Sequence, residues 1–141
     1  MKRILIMGLS GTGKTTLAQT LVSSLLQAGH TVGHLNADEI RKLYDDWDFS
    51  PAGRTRQAQR MHKLSMDATY DYVIADFICP LEEYRRIFAA DYVVWMDTHN
   101  KSSYADTDAV FEPPRQYNLR ITKNNDGNIA KVLNDLNKSY K

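Results

Sequence analysis

Five short apolar runs punctuate the chain, and the segments between them repeat their apolar residues at helical spacing. Ile4-Leu5-Ile6-Met7, bounded by Gly8, has the unbroken apolar character of a strand covered on both faces. Thr31–Leu35, Tyr72–Ala75, Tyr92–Met96 and Leu119–Thr122 read as four further strands. Leu17, Leu21, Val22, Leu25 and Leu26 form one stripe of a helix from Lys14 to Ala28, with Gly29 as its C′ residue. Asn36-Ala37-Asp38 caps a short helix to Tyr44, Asp45 to Pro51 is an acidic and aromatic loop, and another helix covers Ala52 to Ala68. Pro80 opens a helix over Leu81–Phe88 at a position proline tolerates. After the turn Asn124-Asn125-Asp126-Gly127, residues Ile129, Val132, Leu133 and Leu136 share one face of a terminal helix. Residues 97–117 carry no period and hold Pro113-Pro114, so the stretch 97–114 is expected to be a lid rather than filler. Strands alternating with helices predict an α/β fold: a five-stranded parallel sheet with helices on both faces and right-handed crossovers.

Composition narrows the class further. A length of 141 residues suits one domain spanning 1–141, and 43% hydrophobic with 25% charged residues excludes collagen-like, coiled-coil and disordered chains. A formal net charge of +1 supplies no global field toward nucleic acid or an anionic membrane. The single cysteine, Cys79, permits no internal disulfide and reads as a small buried hydrophobe. No apolar run approaches the roughly 18 residues needed to span a bilayer, and the stretch that follows Met1-Lys2-Arg3 ends at Gly8, too short for a signal peptide. A soluble, cytoplasmic domain with no membrane partner is expected.

The most specific chemistry lies at Gly8-Leu9-Ser10-Gly11-Thr12-Gly13-Lys14-Thr15, which fills every constrained position of G-x-x-x-x-G-K-[ST] between a predicted strand and a predicted helix. Glycines let successive backbone N–H groups curl around phosphate oxygens, and the helix N-terminus adds partial positive charge. Gly8, Ser10, Gly11, Thr12, Gly13, Lys14, Thr15 and Thr16 are therefore the expected nucleotide-binding residues. Lys14 would bridge the β- and γ-phosphates of ATP, and the Thr15 hydroxyl would hold Mg²⁺.

Other candidates admit two readings each. Asp38 with Arg41 three residues on has the spacing of a general base beside an anion-holding arginine, and equally that of an exposed N-cap before a surface arginine. Asp76 ends Tyr72-Val73-Ile74-Ala75 like the carboxylate of a Walker B strand, which holds Mg²⁺ directly or through water; the other reading is turn chemistry. Arg54, Arg56 and Arg60 suit an anionic acceptor, or form a solvated basic face countering Asp45, Asp46 and Asp48. Trp47, Phe49 and Phe77 stand at loop or strand-end positions where a base could stack, although such residues are more often core. The four histidines show no metal-ligand spacing, His30 and His34 merely flanking a strand.

Taken together, these segments resemble the adenylylsulfate kinase family, which phosphorylates the 3′-hydroxyl of adenosine 5′-phosphosulfate with ATP. Gly8 to Thr16 is similar to the family's G-L-S-G-x-G-K-T-T, and Leu35 to Arg41 to L-D-G-D-N-V-R. Phe49-Ser50 with Arg54, Gln57 and Arg60 resembles F-S-x-x-D-R-x-E-N-x-R-R, and Phe77-Ile78-Cys79-Pro80 resembles F-I-S-P. Lys101 and Tyr104 are similar to K-G-L-Y, and Phe111-Glu112-Pro113-Pro114 to Y-E-x-P. The resemblance implies a P-loop kinase fold with ATP and Mg²⁺ as cofactors. It also implies catalytic roles for Lys14, Asp38 and Asp76, and an acceptor site built from Arg41, Phe49, Arg54, Gln57, Phe77, Ile78 and Lys101. Departures are Gly53 in place of Asp, Gln57 in place of Asn, Asp76 in place of Ser, and a segment 101–111 short of the family's lid with its F-T-G motif.

The expected partner is a small-molecule nucleotide, and beyond that at most a second copy of the chain. A rival with the same chemistry is a kinase of hydroxymethylated pyrimidines in phage DNA; a rival of another class is a nucleotide-binding regulatory module with no acceptor. Thr122-Lys123-Asn124-Asn125 lacks the terminal Asp of a guanine-reading motif, which disfavours a GTP switch.

Overall fold

The computed structural model describes residues 2–67, 69–99 and 110–139, with Ser139 described by its backbone alone. The chain runs β1 (Lys2–Met7), α1 (Lys14–Gln27), β2 (Val32–Asn36), α2 (Ala37–Tyr44), α3 (Pro51–Asp67), β3 (Tyr72–Asp76), α4 (Glu82–Phe88), β4 (Tyr92–Met96), β5 (Leu119–Ile121) and α5 (Gly127–Ser139). All strands are parallel, in the order β2-β3-β1-β4-β5.

Alternation along the central strands divides two apolar cores. Ile4 and Ile6 of β1 point with Tyr72, Ile74, Tyr92, Val94 and Met96 toward Leu17, Leu21 and Leu25 of α1 and Val132 and Leu136 of α5. Leu5, Met7 and Ala75 point the other way, onto Ile40 of α2, Ala58 and Met61 of α3 and Tyr84 and Phe88 of α4. Each fully covered Leu, Ile or Phe contributes about 1.5–3 kcal/mol of burial. Central strands sandwiched this way must be apolar throughout, which is why β1 and β3 read so clearly in the sequence. Among the described residues no helix is long and apolar enough to cross a membrane.

Strand order fixes where a ligand fits. The loop after β1 leads to α1 on one face, and the loop after its neighbour β3 leads to α4 on the other. A crevice therefore opens at the C-terminal ends of these strands, the usual ligand position in open α/β sheets.

The expected elements are all present, with shifts at their ends. Helix α4 begins at Glu82 rather than Leu81, and Pro80 stands outside it. Leu81 is extended (φ −123°), and the first helical amide, Glu82 N–H, donates to Glu112 Oε1 at 3.1 Å. A partner thirty residues away supplies the cap, and no local pattern could announce it. Only residues 97–99 and 110–114 of the expected lid lie among the described residues.

Candidate functional site

The phosphate-binding loop takes its shape from glycines held at positive φ. Gly8 (φ +146°) lies so close to β4 that a Cβ would stand 2.4 Å from the Met96 carbonyl oxygen. Gly13 (φ +99°) caps α1 in a left-handed conformation, and a Cβ there would meet Asn124 Oδ1 at 2.8 Å. Thr12, fully buried, donates its hydroxyl to the Leu9 carbonyl at 2.8 Å, while its own carbonyl accepts from Thr98 Oγ1 (3.0 Å) and Asn124 Nδ2 (3.3 Å). The loop is thus braced by groups from far along the chain.

Lys14 opens α1 nearly buried, with its Nζ donating to the Leu9 carbonyl at 2.8 Å. Burial lowers its pKa from 10.5 to about 8, against the pull of the Asp76 and Asp38 carboxylates, which favour the charged form. Both acids lie close enough to act on it, and all three line one cavity of about 900 Å³.

Asp76 ends β3 in register with Asn36 of β2 and Ile6 of β1, on the face that α1 covers. It is only 2% exposed, and three side chains hold its carboxylate. Thr15 Oγ1 (3.0 Å) and Asn36 Nδ2 (2.9 Å) donate to Oδ1, and His34 Nε2 lies 2.5 Å from Oδ2. Such satisfaction is what a buried carboxylate requires. Asn36 serves twice, since its Oδ1 also accepts from Glu39 N–H at 3.0 Å as the N-cap of α2. Thr15 and Asp76 offer hard oxygen donors side by side, a set that fits Mg²⁺ arriving with a nucleotide. Among the described residues no group of three or more His, Cys, Asp or Glu could hold a metal by itself. The spacing of the histidines did not disclose His34, because its link to Asp76 depends on which strands are neighbours.

The far side of the cavity is built from α2, α3 and the turn between them. Asp38 lies exposed in the first turn of α2, lining the cavity. Arg41, 5% exposed, donates through Nη1 to the carbonyls of Asp46 (2.9 Å) and Asp48 (3.2 Å), and its guanidinium covers the Phe49 ring at 4.3 Å. Arg56 and Arg60 both reach the Asp46 carboxylate, at 2.7 and 2.8 Å, and hold it well below the usual carboxylate range. Of the two readings for this basic helix, the ion-paired one therefore describes Arg56 and Arg60. Arg54 lines the cavity and joins none of these ion pairs. Gln57 is buried, donating to the Ala37 carbonyl at 3.1 Å and accepting from Arg60 at 2.8 Å.

Phe77, Ile78, Cys79 and Pro80 complete the wall. Phe77 is 7% exposed and meets Phe88 edge-on, so most of its ring belongs to the core. Cys79 is buried with a left-handed backbone (φ +49°), its carbonyl held by Arg85 Nε at 3.0 Å, and burial pushes its thiol pKa up. Ser10, Gly11, Gly13, Lys14, Thr15, Thr16, Asp38, Arg41, Phe49, Arg54, Gln57, Asp76, Phe77 and Ile78 all line this one cavity. Gly8 and Thr12 shape the loop from behind it, and Lys101 and Tyr104 lie outside the described residues. Trp47, which no motif assigned, is also part of the lining.

The family model described as adenylylsulphate kinase matches residues 2–101. An adenylyl-sulfate kinase of Bacillus pumilus is 34% identical over 87 residues, which cover 60% of this chain and 44% of that protein. One from Shewanella sp. is 40% identical over 82 residues, covering 55% of this chain and 40% of the relative. The matched stretch thus spans less than half the length of these relatives. Among solved structures, the Mycobacterium tuberculosis APS kinase CysC in complex with AMPPNP and APS superposes with a TM-score of 0.81 at 23% identity, covering 96% of this chain and 97% of that one. Shikimate kinase from Aquifex aeolicus superposes with a TM-score of 0.68 at 15% identity, covering 98% of each chain. At these identities the structural likeness speaks for a P-loop kinase fold.

Proposed function

Because this chain belongs to the adenylylsulphate kinase family, we propose that it transfers the γ-phosphate of ATP to the 3′-hydroxyl of adenosine 5′-phosphosulfate, giving 3′-phosphoadenosine 5′-phosphosulfate. The observation that carries the reading is a single cavity lined by Lys14, Thr15, Asp38, Phe49 and Arg54, with Asp38 close enough to Lys14 to act on its charge. Donor and acceptor groups then share one walled space, which phosphoryl transfer demands of a protein that contributes mainly positioning and charge.

The loop amides and Lys14 bind the β- and γ-phosphates and stabilise the charge that builds on the transferring group. Mg²⁺ brought in with ATP would neutralise part of that charge, with Thr15 and Asp76 holding it. Asp38 takes the proton of the acceptor hydroxyl as its oxygen bonds to the γ-phosphorus, while the bond from that phosphorus to the β-bridging oxygen breaks and ADP departs. Arg54 meets the acceptor's anionic group, and the Phe49 ring offers a face to its base.

The test is coupled ADP release with Mg·ATP, with and without adenosine 5′-phosphosulfate, run beside hydroxymethylpyrimidine DNA. Stimulation by the phosphosulfate is expected, with Asp38→Ala lowering kcat at least about 100-fold and leaving ATP binding intact. Stimulation by DNA alone, or near-normal turnover in Asp38→Ala, would overturn the acceptor or the base assignment respectively. The ion pairing of Arg56 and Arg60 favours the small acceptor, since it withdraws from that helix face two charges a DNA backbone would use.

A further inference from the structure

Asp76 puts a charge at the end of a strand that is otherwise apolar. β3 is buried along its whole length, and Val73, Ile74 and Ala75 lead directly into the carboxylate. An ionised group there costs free energy unless donors surround it, and an apolar side chain would avoid that cost. The donors come from three directions. Asn36 reaches Asp76 from directly across the β2–β3 ladder and Thr15 from the first turn of α1. His34 pairs with Ile74 and reaches Asp76 diagonally, two residues further along β3.

These donors are divided unevenly between the two oxygens. Asn36 Nδ2 and Thr15 Oγ1 both donate to Oδ1, at 2.9 and 3.0 Å. His34 Nε2 lies 2.5 Å from Oδ2. As an anion, the form in which it acts on Lys14, Asp76 can only accept, so the proton of that contact is on Nε2. The second torsion of an aspartate is broad and two-fold, so donors on one oxygen alone leave the group free to swing about its Cβ–Cγ bond. A donor fixed on the other oxygen removes that freedom.

The fold gives His34 this position without taking its ring into the core. β2 is an edge strand, and His34 shares the α1 face with Val32, two residues before it. Its side chain stays partly exposed, while the carboxylate it meets is buried. His34 is not among the residues lining the cavity, so it reaches the site only through Asp76.

We infer that His34 is a positioning residue for Mg²⁺: by holding Oδ2 it keeps Oδ1 against the Thr15 hydroxyl, so that the two oxygen groups facing an incoming metal stay in register. Groups that orient a metal's ligands in this way change its affinity by about 10- to 100-fold when removed. The inference rests on the Mg²⁺–nucleotide part of the reading above and is independent of which acceptor is phosphorylated.

The experiment measures ADP affinity of the full chain by calorimetry, once in EDTA and once in saturating Mg²⁺, and reads the ratio of the two Kd values. His34→Leu should leave the affinity in EDTA within about twofold of the unaltered chain and cut the gain from Mg²⁺ about tenfold. His34→Gln, whose Nε2 can donate from nearly the same place, should recover most of that gain. His34→Ala provides the same comparison should the leucine variant fail to fold. A gain from Mg²⁺ unaltered in His34→Leu or His34→Ala, affinity lost equally in EDTA and in Mg²⁺, or a glutamine no better than leucine would each overturn the inference. The two readings fail separately. Phosphosulfate turned over by a chain whose His34→Leu variant keeps its full gain from Mg²⁺ removes the positioning role alone, whereas the expected ratios with no turnover of phosphosulfate remove the proposed acceptor alone.

Discussion

Lys14 is held between opposing influences, and the balance has a measurable sign. Burial lowers its pKa to about 8, while Asp76 and Asp38 pull it back toward the usual 10.5. Polyphosphate oxygens placed on the ammonium would add to that pull, so nucleotide binding should take up a proton wherever the free protein has begun to lose one. Calorimetry of ADP binding in EDTA, compared in two buffers of different ionisation enthalpy, should show uptake of roughly three-quarters of a proton at pH 8.5 and about a tenth at pH 7. Lys14→Arg should abolish the difference. Affinity then falls as pH rises above about 8. The stability of the free protein responds oppositely: between about 8 and 10.5 the unfolded chain keeps a proton that the folded one has shed, so this group's contribution increases with pH. The role of Lys14 was legible in the sequence because its motif is contiguous. That of His34 was not, because its 2.5 Å approach to Asp76 spans 42 positions and depends on β2 lying beside β3.

At the scale of elements, the start of α3 shows how closely the acceptor side is fitted together. Gly53 lies in the first turn of this helix, where glycine ordinarily weakens the structure by about 1 kcal/mol relative to alanine. Here a Cβ would stand 2.1 Å from the Asp48 carbonyl oxygen and 2.5 Å from Asp48 Cγ. The steric term should therefore outweigh the propensity term, and Gly53→Ala should destabilise by roughly 1–3 kcal/mol instead of stabilising. Chemical denaturation decides the sign, and a gain in stability would mean the turn has room to move. Both helices and the loop were readable from capping residues and periodicity. Their mutual approach was not, because it is set by Asp46 bridging Arg56 and Arg60 and by Arg41 holding two carbonyls.

Across the whole molecule, alternation along the strands made an α/β sheet readable, but nothing local dictated the order β2-β3-β1-β4-β5. That order carries the function, because it sets the β1 loop beside the end of β3 and so brings Thr15 within 3.0 Å of Asp76. Thr15 lies in the first turn of α1, which packs on one core, while β3 also leads through its loop to α4 on the other. A ligand seated between them should therefore stabilise the domain as one cooperative unit rather than merely ordering a loop. At 100 times its Kd a ligand contributes about 2.7 kcal/mol, roughly 5–10 °C in Tm for a chain of this size. ADP in EDTA should supply one increment through Lys14 and the loop amides, and Mg²⁺ a second through Thr15 and Asp76. Asp76→Asn keeps the shape and the donors around it but removes the charge, so it should erase the second increment and spare the first. If the Mg²⁺ increment survives in Asp76→Asn, the carboxylate at the end of β3 serves only to tie Thr15, Asn36 and His34 together, and the metal is held elsewhere.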